Sequence, residues 1–154
     1  MNQISEIKAT LSFPKIDQVG VVVKDLEKTI AYYTSVLGLG PFRQMDPTFT
    51  NVTLRGKPVE FKGKFAFAKM GAVSLELIQV VKGATIYDEF LATKGEGLHH
   101  LGCYVSDLDA EVKKCREAGI EVLQSGNAGS SKFAYMDTEK IGGIILEYIQ
   151  RGTM

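Results

Sequence analysis

Apolar and polar positions along the chain follow first one period and then another, and the succession occurs twice. Residues Gln18-Val-Gly-Val-Val-Val are a run of β-branched and apolar side chains that reads as a strand. Asp25 then opens a segment in which Leu26, Ile30, Tyr33 and Leu37 recur at spacings of three and four, the stripe of an amphipathic helix. The pattern begins again at His100-Leu-Gly-Cys-Tyr-Val, followed by Asp107 and then Leu108, Val112, Cys115 and Ala118. Gly20 matches Gly102, Val23 matches Val105, and Asp25-Leu26 matches Asp107-Leu108, each pair 82 positions apart. Self-similarity at a fixed offset points to two copies of one supersecondary unit.

Each copy supplies its own stop and start signals. Asp25 and Asp107 are suited to accept from the free N–H groups of the helices that follow, and Glu27 and Asp109 favour the positive ends of their dipoles. Gly38 and Gly119 end the helical stripes. Strands are expected near 41–46, 64–70 and 73–80 in the first copy, and near 120–124, 132–137 and 143–149 in the second. Gly71 and Gly142-Gly143 suit tight turns before the last strand of each. Residues 47–63, with Pro47, Gly56, Pro58 and Gly63, read as a long connection. Residues 82–98 link the copies and hold a short helical stretch over 86–91 before the glycine-rich Lys94-Gly-Glu-Gly. The expected architecture is α+β: two βαβββ modules, about 14–81 and about 97–150, in one domain spanning 14–150 behind a leader at 1–13.

Composition supports one folded domain and removes some partners. The chain has 154 residues, 45% hydrophobic and 23% charged, enough apolar side chain to offset the ordering entropy. Eighteen basic and eighteen acidic residues cancel, so no long-range field favours nucleic acid or an anionic membrane. No window approaches a membrane span, and the first residues lack a signal-peptide pattern. Cys103 and Cys115 have the spacing of neither a disulfide framework nor a zinc knuckle, which fits a cytoplasmic setting.

Four polar residues interrupt the apolar pattern. Gln18 opens the first strand, and His100 is its repeat mate. Glu76 in Ser-Leu-Glu-Leu-Ile and Glu147 in Ile-Ile-Leu-Glu-Tyr-Ile are each the central polar residue of the last strand of a copy. Taken singly, such a glutamate belongs on the solvent face of a sheet. Two carboxylates, an imidazole and an amide at repeat-related positions instead make a shell for one divalent ion such as Zn²⁺, Co²⁺, Ni²⁺ or Mn²⁺, with its charge neutralised. His99, the neighbour of His100, is expected on the opposite face and in a structural or supporting role, because strand side chains alternate.

These segments resemble the vicinal oxygen chelate superfamily, which includes glyoxalase I, extradiol dioxygenases, fosfomycin-resistance proteins and methylmalonyl-CoA epimerase. The resemblance spans about 14–150, and within the superfamily the epimerases are the nearest match. It rests on Ile16 through Glu27, Tyr33 through Leu39, Ser74-Leu-Glu-Leu-Ile, Lys94-Gly-Glu-Gly-Leu-His-His-Leu-Gly and Gly142-Gly-Ile-Ile-Leu-Glu-Tyr. It implies curved mixed sheets around a metal site, a homodimer, and epimerisation of methylmalonyl-CoA or a similar malonyl-type thioester through a metal-stabilised enolate. The epimerase family carries a catalytic glutamate sixteen residues before the strand ligand, which here is Glu60, so the resemblance implies Glu60 and Glu147 as the acid–base pair. Lys57, Lys62, Lys64 and Lys132 are candidates for coenzyme A phosphates. One departure is Gln18, where the epimerases have histidine. The set Gln, Glu, His, Glu is similar to the zinc ligands of some glyoxalase I enzymes, although Val22 and Val23 stand where those enzymes place an arginine. A glyoxalase-like lyase and a non-enzymatic small-ligand binder are the alternatives.

Overall fold

A computed structural model describes residues 8–153. The first seven residues of the expected leader lie outside it, and residues 8–17 run without regular structure up to the first strand.

The first module comprises β1 (Gln18–Val22), α1 (Leu26–Ser35), β2 (Arg43–Met45), β3 (Thr48–Leu54), β4 (Lys57–Met70) and β5 (Val73–Gly83). Helix α2 (Ile86–Lys94) links it to the second module, made of β6 (Gly97–Tyr104), α3 (Leu108–Glu117), β7 (Val122–Ala128), β8 (Ser131–Met136) and β9 (Ile145–Gln150). The helices begin as their caps dictate: Asp25 accepts from the Lys28 N–H at 3.0 Å and Asp107 from the Ala110 N–H at 3.1 Å. A second pair of matched contacts joins each helix to its own module. The Gln79 side-chain oxygen accepts from the Leu26 N–H at 2.8 Å, and that of Gln150 from the Leu108 N–H at 2.9 Å. Both glutamines stand three residues after a site glutamate, in Glu76-Leu-Ile-Gln79 and Glu147-Tyr-Ile-Gln150.

The strands form one mixed sheet in the order β2-β4-β3-β7-β8-β9-β6-β1-β5, and β5 also pairs with β4, so the sheet closes on itself. Where the two modules first meet, β1 and β6 run antiparallel, flanked by β5 parallel to β1 and by β9 parallel to β6. Helix α1 covers the outer face over Val21, Leu75, Leu77 and Ala66, and α3 covers it over Cys103, Ala134, Met136 and Tyr148. The inner face holds a third apolar cluster, rich in aromatic rings, that includes Phe61, Phe65, Tyr87, Phe133 and Tyr135. Cys103 and Cys115 are free and buried, and burial pushes both thiols up, Cys103 to about 12.

The expected connection over 47–63 is instead a β-hairpin. Strand β3 pairs with the first half of β4 across Arg55-Gly56, whose φ values of 48° and 79° are those of a type I′ turn. Pro58 sits opposite Thr53 near the hairpin end, where a missing N–H is tolerated. This hairpin also carries β3 against β7, joining the two modules at a second seam.

Candidate metal centre

Register along β5, β1, β6 and β9 decides where the polar residues meet. Gly20 on β1 lies opposite Glu76 on β5 and His100 on β6. Gly102 on β6 lies opposite Gln18 on β1 and Glu147 on β9. The two rows, Glu76–Gly20–His100 and Glu147–Gly102–Gln18, are related by the repeat. Each sets two polar side chains on either side of a glycine. The glycines provide room rather than an unusual backbone. A Cβ at position 20 would lie 2.0 Å from His100 Cε1, and one at 102 would lie 3.0 Å from Gln18 Oε1 and 3.2 Å from Glu147 Oε2.

All four side chains are buried, with residue exposures of 3–7%. His100 Nε2 is 3.0 Å from Glu147 Oε2 and 3.3 Å from Glu76 Oε2. Neither contact is aligned as a hydrogen bond, and Gln18 Oε1, Glu76 Oε2, His100 Nε2 and Glu147 Oε2 have no hydrogen-bonding partner among the described residues. Orphaned buried polar atoms are costly, and four of them facing one another point to a missing common partner. Donors bound at about 2.1 Å around a tetrahedral ion sit roughly 3.4 Å apart, close to the separations seen here. Glu76, His100 and Glu147 offer ligand atoms within 4.8 Å of one another and form a buried site for a single divalent metal ion. Glu76 comes from the first module and His100 and Glu147 from the second.

The charges agree with this assignment. Burial pushes the Glu76 carboxyl up, the charge of Glu147 adds to that, and His100 opposes it. Burial alone would depress His100, but Glu147 and then Glu76 outweigh it and raise it to about 9. In the absence of a metal ion a proton therefore takes the cation's place at neutral pH.

His99 does not point away from His100. Register between β1 and β6 slips between Gly20 and Val21, leaving His99 as the extra residue of a β-bulge. The bulge turns both imidazoles inward, with 2.9 Å between their Nδ1 atoms. Tyr87, Phe90 and Tyr135 surround His99. Burial, followed by the charge of His100, lowers it to about 3. A neutral His99 can accept the Nδ1–H of His100, which leaves His100 Nε2 free of hydrogen for a metal ion.

Glu60 is not brought to the site. It is exposed on β4, where the alternate residues Val59, Phe61, Phe65 and Phe67 face inward, so its side chain leaves by the outer face. The spacing of sixteen residues located the strand but not the face. Lys57, Lys62 and Lys64 likewise do not line the cavity, whereas Lys132 does.

The metal centre opens into a cavity of about 220 Å³ walled by Phe49, Phe65, Phe67, Phe133, Tyr87 and Tyr135. The two tyrosine hydroxyls share a hydrogen bond of 2.6 Å. Burial, then the charge of Glu147, pushes both phenols well above their ordinary value, so both remain protonated. These aromatic walls were not anticipated, because inward-facing phenylalanines and tyrosines look the same in sequence whether they fill a core or line a cavity.

The family model described as Glyoxalase/Bleomycin resistance protein/Dioxygenase superfamily matches residues 17–135. The chain belongs to this superfamily. It is 24% identical over 136 residues to the uncharacterized protein YqjC of Bacillus subtilis (strain 168), covering 86% of this chain and 89% of that one. It is 25% identical over 143 residues to the mitochondrial methylmalonyl-CoA epimerase of Bos taurus, covering 88% and 74%. A Streptomyces coelicolor methylmalonyl-CoA epimerase variant, solved in complex with 2-nitronate-propionyl-CoA, superposes with a TM-score of 0.67 at 23% identity over 92% of this chain and 100% of that one. Among the described residues no helix is long and apolar enough to cross a membrane.

Proposed function

We propose that the protein is a metal-dependent isomerase that epimerises the carbon between the thioester and the carboxylate of methylmalonyl-CoA or a similar malonyl-type acyl-CoA. The observation that carries this reading is the convergence of four buried, unpartnered donor atoms at the end of an apolar cavity. Gln18 Oε1 supplies the fourth ligand beside Glu76, His100 and Glu147. The similarity to the bovine and Streptomyces epimerases supports the substrate class.

Epimerisation needs a proton acceptor on one face of the carbon and a donor on the other. With Glu60 on the outer face, the repeat itself offers the pair. Glu76 of the first module and Glu147 of the second both approach His100, at 3.3 and 3.0 Å, and each carboxylate has one oxygen for coordination and another for a proton. A divalent ion bound there would supply Lewis-acid stabilisation of the negative charge that develops on the thioester oxygen. Glu147 takes the proton from one side and Glu76 returns one from the other. The aromatic walls exclude water and pack against the acyl group, while the Tyr87 and Tyr135 hydroxyls offer protons at the cavity floor.

Deuterium exchange tests the proposal. The metal-loaded protein in D₂O is expected to replace the α-proton of a methylmalonyl-type thioester, to lose this activity on chelation and to regain it with added metal. A metal-loaded protein that exchanges no such proton would overturn it. Gln18 favours one second reading, a glyoxalase-like reaction on the thiol adduct of a 2-oxoaldehyde. Turnover of that adduct without α-exchange of acyl-CoA would select it. The proposal includes a cytoplasmic homodimer. The free buried thiols agree with a reducing compartment, and sedimentation velocity tests the dimer.

A further inference from the structure

Glu147 and Ile149 at the end of β9 and Arg151, the residue directly after it, occupy alternate positions, and all three line the cavity. Arg151 thus continues the face that carries the metal centre. Its guanidinium carbon lies 4.0 Å from the centroid of the Tyr104 ring, which lines the same cavity from β6. Such a stack holds the guanidinium plane while leaving its N–H groups free. Arg151 makes no ion pair among the described residues. Asp17, whose carboxylate feels the charge of Arg151, is already engaged by the Tyr104 N–H at 2.9 Å and by Lys15 at 3.3 Å. Lys132 lines the same cavity and is held only by an exposed contact to Asp109 at 3.8 Å.

An oriented cation with unspent donors, lining the same apolar cavity as two carboxylates, has a recognisable use. We propose that Arg151, braced on Tyr104, is the anion-recognition residue of this site. It takes a phosphate or carboxylate at the far end of a substrate whose reacting group lies between Glu76 and Glu147. Arg151 stands four positions beyond Glu147 in the chain, about 13 Å at roughly 3.3 Å per residue. The substrate class is therefore one with an extended arm ending in an oxyanion. The inference rests on the cavity being the substrate site, as in the proposed function. The diphosphate of a coenzyme A thioester and the carboxylates of a glutathione adduct share this chemistry.

Calorimetric titration of the metal-loaded protein with coenzyme A, pantetheine and glutathione separates these sources without requiring turnover. In the unaltered protein coenzyme A is expected to bind at least about tenfold more tightly than pantetheine, which lacks the diphosphate. R151Q is expected to abolish that preference and leave pantetheine binding unchanged. R151K should recover part of it, since it restores the charge but not the planar fork. If coenzyme A and pantetheine bind alike and R151Q weakens glutathione instead, the anion site stands and the acyl-CoA reading falls. If R151Q alters the affinity of neither coenzyme A nor glutathione, the assignment of Arg151 is overturned, whatever the isotope-exchange result.

Discussion

Strands β1 and β6 lie side by side at one seam between the two modules, and each carries a site side chain two residues before a glycine. On β1 the pair is Gln18 and Gly20, and on β6 it is His100 and Gly102. Up to this point the halves correspond, through the capping aspartates and the paired Gln79 and Gln150. They part at the residue preceding the ligand. Before His100 stands His99, turned inward by a bulge and 2.9 Å from the imidazole it supports. Before Gln18 stands Asp17, which accepts from the Tyr104 N–H and pairs with Lys15 at the edge of the sheet. The duplicated parts build the scaffold. The unduplicated ones, an imidazole with its own buried partner, strengthen one ligand over its mate.

Ligand removal should expose this asymmetry most strongly. His100→Ala is expected to weaken metal binding by at least about 10³-fold, and Gln18→Ala by roughly tenfold, as read by competition with a fluorescent chelator. Equal losses would mean that the two positions are equivalent after all.

The glycines give the next largest contrast. Gly20→Ala drives a methyl group into the His100 ring, where the nearest atom is 2.0 Å away, so most bound metal should be lost. Gly102→Ala meets its neighbours at 3.0–3.2 Å, a gap that small side-chain shifts relieve, and should retain a measurable fraction. Elemental analysis of the two purified variants makes the comparison.

Support of the ligand comes third. His99→Phe keeps the packing against Tyr87 and Phe90 but removes the acceptor for His100, and should cost about 10–100-fold in metal affinity. Asp17→Asn, its counterpart, should leave metal affinity unchanged.

Titration is also one-sided, because Gln18 carries no proton. His100 is raised in the folded chain from 6.5 to about 9, so its contribution to stability is complete below about pH 6.5. That contribution is lost as pH rises through about 9. Thermal denaturation of the chelated protein should show its melting temperature falling across this interval. The metal-loaded protein should show no such fall, since its imidazole is already without the proton.

The smallest effect should be symmetric. Gln79→Ala and Gln150→Ala each remove one hydrogen bond to a helix N-terminus, at a cost of about 1 kcal/mol. The two melting temperatures should drop by similar amounts. A large difference would show that the halves are not matched in their scaffold either.

Much of this arrangement could be read from the amino-acid sequence. The helix starts at Asp25 and Asp107 follow from local hydrogen bonding, which needs no distant partner. The pairing of Gln18 with His100 and of Glu76 with Glu147 follows from the repeat, because duplicated elements occupy equivalent places. The β3–β4 hairpin was readable but missed: Thr48 through Leu54 alternates in part, and Arg55-Gly56 suits a tight turn, yet Pro58 and the glycines read as a loop.

Other features were settled only when the chain closed on itself. A bulge depends on what lies across the strand pair, so the direction of His99 could not follow from alternation. Glu60 has the family's spacing but leaves by the outer face, since distance along a chain says nothing about which side of a sheet a residue takes. Arg151 gains its meaning from Tyr104, which stands on another strand in the fold. Periodicity and repetition are local or translational properties, and one chain displays them in full. Facing, closeness and the room left by a glycine belong to pairs of strands, and come into being with the sheet.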